Sequence, residues 1–210
     1  MNPLYRFSNF ILRLGFRFFY HFRLFGKENL PTGKSILAPN HTSLMDPPLM
    51  MRTTWPEEVH FLAHTHLFTF FSKTLLKAFN AHPTKDLHSF RVLQQLLCQD
   101  KKVVIFPEGG ISRTGELIPF HTGLARLALR TRSPIIPTYI SGTFQAWPRT
   151  HSFPSFGHPI VCVFGKPIAI EPFLKSNAKE ASQELTTVVR HKIEALKQWS
   201  DNGCIGNIPS

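Results

Sequence analysis

Cysteine is scarce in this sequence, with only Cys98, Cys162 and Cys204 among 210 residues. Their number is odd, they lie far apart, and no two have the Cys-x-x-Cys spacing of a zinc or redox site. This distribution argues against a disulfide framework of the kind that stabilises small secreted domains. We therefore expect the protein to lie in a reducing environment, facing the cytoplasm.

Carboxylates are also few, since 13 Asp and Glu residues stand against 24 Lys and Arg residues and leave a formal charge of +11. Such a balance favours an anionic partner, either nucleic acid or an anionic membrane surface. Phenylalanine is abundant, with 20 residues, and it is concentrated together with arginine in the first 25 positions. This clustering favours anionic membrane lipids as partners, and no nucleic acid is expected.

Long apolar runs are missing as well. Arginines interrupt every candidate stretch before it reaches the ~18 to 20 apolar residues that a transmembrane helix needs, and no small-residue cleavage site marks a signal peptide. Residues 1–25 instead predict an amphipathic segment that lies in the membrane interface. An ordinary core-packing helix with a basic edge is the alternative. The apolar side chains at helical spacing are Leu4, Phe7, Ile11, Leu14, Phe18 and Phe22.

Signals for metals and nucleotides are weak. His60, His64 and His66 lie close together, but no carboxylate or cysteine accompanies them at ligand spacing. Lys34 and Ser35 lack the preceding glycine of a Walker motif. We predict neither a metal site nor a nucleotide site.

Apolar strand patterns alternate with amphipathic helix patterns along the rest of the chain. This alternation predicts an α/β fold, with one mixed β-sheet flanked by helices over residues 26–200 and a polar tail over residues 201–210. The predicted strands cover residues 36–38, 59–63, 103–106, 135–140 and 160–165, and the predicted helices cover residues 67–79, 86–100, 124–129 and 177–200.

The stretch from Asn40 to Asp46 joins a histidine to a carboxylate five residues later. Histidine is the side chain most easily poised to accept a proton near neutral pH, and a carboxylate at its other ring nitrogen fixes its tautomer. Positions five apart diverge on a helix, so a turn must bring His41 and Asp46 together. Asp46 is predicted to cap a helix in which Pro47 is the first residue. The alternative is a loop histidine beside a simple cap.

A second chemical feature follows the predicted strand at 103–106. Glu108, Gly109, Gly110, Ser112 and Arg113 form a turn rich in glycine that also carries a hydroxyl and a cation. Glycine lets the backbone approach an oxygen-rich ligand such as a phosphate, which backbone N–H groups then bind. The alternative is a plain Gly-Gly turn with its arginine in solvent.

Together these blocks resemble the glycerolipid acyltransferase family, and the lysophosphatidate acyltransferases in particular. Asn40 to Asp46 corresponds to its Asn-His-x-x-x-x-Asp block, and Phe106 to Gly109 corresponds to its Phe-Pro-Glu-Gly block. The later Pro-Ile-x-x-Pro pattern is nearly intact at Ser133 to Pro137, and Gly26 to Pro31 resembles the usual lead-in.

Two departures from the family pattern concern the phosphate. Gly110-Ile111-Ser112 stands where the family usually has Thr-Arg-Ser, so that Arg113 lies one place late. The remaining block falls on Asn80 to Lys85, with Asn for the usual Gly and Lys for the usual Arg.

The resemblance implies an O-acyltransferase of phospholipid biosynthesis. It would transfer an acyl chain from acyl-CoA or an acyl carrier protein to the sn-2 hydroxyl of 1-acyl-sn-glycerol-3-phosphate, forming phosphatidate, without a further cofactor. Glycerol-3-phosphate or another lysophospholipid is the alternative acceptor. A non-catalytic basic membrane- or RNA-binding protein with the same fold is the alternative from another class.

The resemblance also implies roles for the residues of both blocks. His41 would be the general base and Asp46 would stabilise the imidazolium. Ser43 is a rival nucleophile, but no Gly-x-Ser-x-Gly elbow surrounds it. The predicted substrate-binding residues are Lys85, Glu108, Gly109, Gly110, Ser112 and Arg113, in which Glu108 would accept a hydrogen bond from a glycerol hydroxyl.

Overall fold

A seven-stranded β-sheet organises the protein. The computed structural model describes residues 2–64, 76, 78–84 and 86–209, without the side chains of residues 64, 84 and 86–89. The strands are β1 (His21–Phe25), β2 (Ser35–Pro39), β3 (Val59–His64), β4 (Ala81–Thr84), β5 (Lys102–Val104), β6 (Ile135–Ser141) and β7 (Pro159–Phe164).

The strand order is β1-β7-β6-β2-β5-β3-β4. Strands β4, β3, β5, β2 and β6 are mutually parallel, whereas β7 runs antiparallel to β6 and carries β1 parallel to itself. The predicted mixed α/β sheet is thereby confirmed. Because β2 lies between β5 and β6, the loops that follow these three strands meet at one edge of the sheet.

Helices cover both faces of this sheet. The described helices are α1 (Pro3–Phe19), α2 (Asp46–Thr53), α3 (Asp86–Cys98), α4 (Gly123–Thr131), α5 (Thr143–Ala146) and α6 (Ala178–Asp201), with 3₁₀ turns at Lys27–Asn29 and Glu171–Lys175. Most of the helix predicted at 67–79 lies outside the described residues.

The buried strands alternate between two cores, because successive side chains point to opposite faces of a sheet. On β2, Ile36 and Ala38 belong to the core that contains α4 and α6, whereas Leu37 belongs to the core that contains α1 and α2. All three side chains are fully buried. The segment from Asn40 to Asp46 therefore follows a strand whose side chains are packed on both faces of the sheet.

Helix α1 packs on the domain through one face and exposes the other. Asn2 caps it by accepting a hydrogen bond from the Leu4 N–H at 2.9 Å. On the buried face, the Tyr5 hydroxyl accepts from the Val59 N–H at 3.1 Å, and Asn9 Nδ2 donates to the Met51 carbonyl at 2.8 Å. The core-packing alternative thus describes this face correctly. Among the helices of the described residues, none has both the length and the apolar character that crossing a bilayer requires.

The predicted segment 1–25 divides into two elements. The helix ends at Phe19, and residues His21–Phe25 form β1, which pairs with β7. The prediction of Phe22 on the apolar face of the helix was therefore wrong. Helical spacing along one segment carries no information about a strand partner at residues 159–163, and backbone pairing to that strand prevails.

The predicted polar tail also has tertiary contacts. The indole N–H of Trp199 donates to the Gly206 carbonyl at 3.3 Å, so the chain folds back beside the end of α6. Cys204 and Ile208 pack against the core. The polar composition of residues 201–210 did not indicate that these two side chains contact the core.

Candidate active site

The loops after β2 and β5 are joined by one backbone hydrogen bond and one hydrogen bond from backbone to side chain. The Ser112 N–H donates to the His41 carbonyl at 2.8 Å, and the His41 N–H donates to Glu108 Oε1 at 2.8 Å. These contacts follow from the parallel pairing of β2 with β5, which brings both carboxyl ends to the same edge. The histidine block and the glycine-rich block therefore form one site.

His41 and Asp46 are in direct contact. Nδ1 of His41 lies 2.9 Å from Oδ2 of Asp46, and the same oxygen accepts the N–H groups of Thr42 and Ser43 at 2.8 Å each. The Asp46 side chain is fully buried, whereas His41 keeps 13% of its side-chain exposure. One carboxylate oxygen thus holds both the turn and the imidazole.

The start of α2 differs by one residue from the prediction. Met45 is the N-cap, and Asp46 is the first helical residue. The side chain of Asp46 nevertheless accepts amide hydrogens from the residues just before the helix. It closes the turn as a capping carboxylate does, although its backbone already has helical geometry.

The second ring nitrogen of His41 is the one available to substrate. A carboxylate oxygen only accepts hydrogen bonds, so Nδ1 carries the proton and Nε2 presents its lone pair. Nε2 has no hydrogen-bond partner in the described part of the chain and is not among its fully buried unpaired atoms. The Phe106 ring stacks on the imidazole at 3.9 Å between centroids and 20° between planes, which fixes the ring orientation.

Asn40 attaches the histidine turn to the neighbouring strand β6. Its Nδ2 donates to the Ile140 carbonyl at 3.0 Å, and its Oδ1 accepts from the Ile140 N–H at 2.7 Å. The amide thereby continues the β2–β6 pairing by one step after β2 ends. Sequence reasoning noted Asn40 as part of a block but assigned it no role, since its partner is distant in the chain.

Ser43 is held in a structural position. Its hydroxyl donates to the Trp147 carbonyl at 2.6 Å and accepts from the Met45 N–H at 3.1 Å. The side chain is fully buried. A nucleophilic serine needs a base within hydrogen-bond reach, and this hydroxyl points to a carbonyl instead.

Glu108 binds backbone rather than facing the site. Oε1 accepts from the His41 N–H, and Oε2 accepts from the Ile118 N–H at 3.0 Å. Burial raises the pKa of Glu108, while these two amides act in the opposite direction. The predicted contact with a glycerol hydroxyl is therefore not what this geometry favours, because the carboxylate is buried and joins two loops. Its effect on substrate passes through the position of His41.

The glycines of the turn have different constraints. Gly109 has φ +68°, and a Cβ added there would lie 2.8 Å from His121 Cδ2. A larger residue at Gly109 would therefore strain the backbone and would require the His121 ring to shift. Gly110 is exposed, and a Cβ there would meet no heavy atom within 4 Å. Open space thus lies above Gly110.

Ser112 and Arg113 lie next to each other but face different environments. Ser112 is buried, and its hydroxyl donates to the Glu116 carbonyl at 2.7 Å. Its predicted contact with substrate is not favoured by this arrangement. Arg113 is exposed and has no ion pair or hydrogen bond within the described ranges. Lys85, the other predicted phosphate ligand, lies outside the described residues.

A cavity of about 240 Å³ lies beside the histidine turn and includes Thr42 in its wall. Among the described residues that line it, the only lysine or arginine is Lys197, whose ammonium lies 2.8 Å from Asp201 and 3.8 Å from Glu116. Two carboxylates against one ammonium disfavour an anionic ligand. Phosphate is therefore better accommodated on the Arg113 side of the turn.

The histidines considered as metal ligands have another arrangement. His60 Nδ1 lies 3.2 Å from His82 Nε2, and burial, with smaller effects from His82 and Lys101, lowers the pKa of His60 to about 4. The side chain of His64 and the whole of His66 lie outside the description. Within the described residues, no group of three or more His, Cys, Asp or Glu side chains is placed to hold a metal ion.

Comparison with known proteins identifies relatives. The chain is 36% identical over 89 residues to a 1-acyl-sn-glycerol-3-phosphate acyltransferase of Cocos nucifera, covering 42% of this chain and 29% of that protein. It is 26% identical over 141 residues to the chloroplastic 1-acyl-sn-glycerol-3-phosphate acyltransferase BAT2 of Brassica napus. That match covers 62% of this chain and 40% of the Brassica protein. The matched regions thus span less than half the length of these curated relatives.

The fold is shared with a solved protein, the 1-acyl-sn-glycerophosphate (LPA) acyltransferase PlsC from Thermotoga maritima. The TM-score is 0.77 at 23% identity, covering 92% of this chain and 79% of that one. A family model described as Acyltransferase matches residues 21–141, which include His41, Asp46 and the whole Glu108 to Arg113 turn. Since this match spans more than half of the sequence, the chain belongs to the acyltransferase family.

Proposed function

We propose that this protein transfers an acyl chain from a thioester to the sn-2 hydroxyl of 1-acyl-sn-glycerol-3-phosphate, which yields phosphatidate. The observation that carries the proposal is the His41–Asp46 pair, in which one ring nitrogen binds a buried carboxylate and the other has no partner among the residues that the structure describes. The relatives from Cocos nucifera and Brassica napus, both 1-acyl-sn-glycerol-3-phosphate acyltransferases, suggest the acceptor.

The proposed chemistry is a direct transfer. Nε2 of His41 takes the proton of the acceptor hydroxyl while that oxygen attacks the thioester carbonyl. The tetrahedral intermediate then expels the thiolate, which receives the proton from the imidazolium. Asp46 stabilises the imidazolium between these steps, and such base catalysis is typically worth ~10²- to 10⁴-fold. No covalent enzyme intermediate is required, and the donor is acyl-CoA or acyl carrier protein.

We place the acceptor phosphate beside Gly110 and Arg113. Arg113 is exposed and unpaired within the described ranges, and it follows Ser112, whose N–H bonds to the His41 carbonyl. The open space above Gly110 leaves room for phosphate oxygens. Lys85 remains a second candidate cation from the sequence.

Replacing Arg113 with Ala should raise the KM for lysophosphatidate and leave the KM for the acyl donor unchanged. Loss of one charge-assisted hydrogen bond is worth about 1.5 to 3 kcal/mol, or roughly 10- to 150-fold. Steady-state kinetics with each substrate varied in turn measure this. Arg130→Ala is the matched control, because Arg130 is exposed on α4 near Thr131, whose carbonyl binds Lys34 at the opposite end of β2. Unchanged constants for Arg113→Ala would move the phosphate to another cation.

We also propose that the protein acts as a peripheral enzyme on the cytoplasmic face of a membrane. The outer face of α1 exposes Phe7, Phe10 and Phe18 at 63%, 56% and 73%. Arg13 and Arg17 are exposed on the same helix, and no Asp or Glu occurs in residues 1–27. An aromatic face with cations and no carboxylates suits the interface of an anionic bilayer.

A thioester-consumption assay tests the proposed function. Purified protein would receive acyl-CoA or acyl carrier protein in separate reactions, each with lysophosphatidate, glycerol-3-phosphate or lysophosphatidylcholine as acceptor. We expect consumption to be fastest with lysophosphatidate. Faster consumption with another acceptor would reassign the substrate. No consumption with any combination would support a binding protein that retains the fold.

A further inference from the structure

We propose that residues Trp147–His158, here named the aromatic loop, form a second membrane-insertion element beside α1. The loop would seat the histidine turn directly on an anionic bilayer. This inference rests on the proposed function in one respect, namely that the acceptor is presented by a membrane. The contact of the loop with lipid is a separate physical property.

The aromatic loop exposes side chains that soluble surfaces rarely expose. Phe153 is 82% exposed and Phe156 is 60% exposed. The Phe156 ring lies 4.9 Å from the ring of Phe19, which is itself 52% exposed at the end of α1. The loop and the helix thus present one continuous aromatic surface, and such a surface indicates an interaction site.

Hydrogen bonds hold the loop in place. The Gly157 N–H donates to the Phe19 carbonyl at 2.9 Å, and the Ser155 N–H donates to the Ala146 carbonyl at 2.7 Å. The Trp147 indole N–H donates to the His151 carbonyl at 3.0 Å. Because the loop is ordered before it meets a partner, less conformational entropy is lost when Phe153 becomes buried.

The charges around this surface favour an anionic bilayer as the partner. No Asp or Glu occurs in residues 1–27 or in residues 117–170. The loop therefore carries no carboxylate, and its Arg149 is exposed. The exposed arginines of α1 lie on the adjoining helix. Each such cation is attracted to an anionic membrane surface, and nearby carboxylates, which would be repelled by that surface, would offset the attraction.

The loop is bonded to the catalytic turn. The Ser43 hydroxyl donates to the Trp147 carbonyl at 2.6 Å, and the hydroxyls of Thr42 and Thr143 lie 3.3 Å apart, just before the loop. Ser43 lies between His41 and Asp46 in the chain. Insertion of the loop would therefore fix the height of His41 above the lipid surface, where the acceptor hydroxyl is presented.

Binding to vesicles tests the role of the loop. Full-length protein would be sedimented with vesicles of equal parts phosphatidylglycerol and phosphatidylcholine. Since burying one phenylalanine side chain has a large transfer free energy, Phe153→Ser should bind roughly 10- to 100-fold more weakly. Ile205→Ser is the matched control, because Ile205 is 80% exposed in the C-terminal segment, and it should bind within twofold of the unaltered protein. If Phe153→Ser binds the vesicles as tightly as that control, the proposal is wrong. The exposed aromatic surface would then be assigned to a protein partner.

A fluorescence measurement gives an independent readout. In Phe153→Trp, the emission of the new tryptophan is obtained by subtracting the spectrum of the unaltered protein. With these vesicles it should shift to shorter wavelength. It should also be quenched when brominated phosphatidylcholine replaces the ordinary phosphatidylcholine. Emission that stays unshifted and unquenched in bound protein would contradict insertion.

Activity separates this inference from the proposed function. Phe153→Ser should transfer acyl chains normally to a short-chain, water-soluble lysophosphatidate and more slowly to vesicle-borne acceptor. If Phe153→Ser keeps the same fraction of the unaltered protein's rate with both acceptors, the loop has no role in catalysis at the membrane surface. Absence of turnover in every variant would contradict the proposed function, while sedimentation and quenching would still decide whether the loop inserts.

Discussion

His41→Ala should lower kcat for acyl transfer by about 10²- to 10⁴-fold, which is the range that general base catalysis supplies. The substitution removes Nε2, the ring nitrogen that no described residue binds and that is therefore available to the acceptor hydroxyl. The KM for each substrate should change little, because the proposed role of His41 concerns proton transfer rather than binding. Thioester consumption under saturating substrates measures the effect.

The control for His41→Ala is a substitution that removes a histidine without touching the site. His191 is exposed on α6, so His191→Ala should retain full activity. Thermal unfolding of both variants separates an effect on catalysis from an effect on folding. The His41→Ala protein should remain folded, because Asp46 keeps its hydrogen bonds to the Thr42 and Ser43 amides when the imidazole is removed. Retained turnover in a folded His41→Ala protein would refute the mechanism.

Asp46→Asn should lower kcat by about 10- to 10³-fold, to a level between those of the unaltered protein and His41→Ala. Asn can keep an oxygen where Oδ2 accepts three hydrogen bonds. It loses the negative charge that stabilises the imidazolium. Its NH₂ group must then occupy the position of Oδ1, which is buried and has no partner in the described part of the chain. An unsatisfied buried donor costs about 1 to 3 kcal/mol, so the free energy of unfolding should also fall.

Two measurements make the Asp46→Asn result decisive. Single-turnover kinetics report the chemical step, and urea unfolding reports stability. Asp201→Asn is the matched control, because Asp201 is exposed and its carboxylate pairs with Lys197 and not with His41. The kcat of this control should be unchanged. If Asp46→Asn loses stability but keeps its rate, Asp46 is only a structural capping residue.

The fold class followed from local sequence patterns. Short apolar runs on β2 and β6 and the amphipathic pattern of α6 predicted elements that the structure contains. Asn177 caps α6, because its side chain accepts from the Glu180 N–H at 3.0 Å. These features are local because burial of one face and capping of one helix end depend on neighbouring residues in the chain.

The role of Glu108 was not available from the sequence. Its position next to two glycines indicated a ligand-binding turn, but its oxygens bind the amides of His41 and Ile118, which lie 67 and 10 residues away. A carboxylate that receives two buried amides and one that receives a substrate hydroxyl look identical in a sequence. Only the packing of the two loops distinguishes them.

By itself, the sequence determined five of the seven described strands, namely β2, β3, β5, β6 and β7, and several of the described helices. It also determined that His41 lies near Asp46, because a short turn between a strand and a helix cannot place these two side chains far apart. The tertiary structure decided how that turn is held. Asn40 bonds to a strand 100 residues away, and Ser43 bonds to the aromatic loop 104 residues away. It also decided that residues 21–25 leave the helical pattern of α1 to pair with β7. The physical reason is that backbone pairing and buried hydrogen bonds depend on which distant segments meet, whereas side-chain periodicity records only the environment of its own segment.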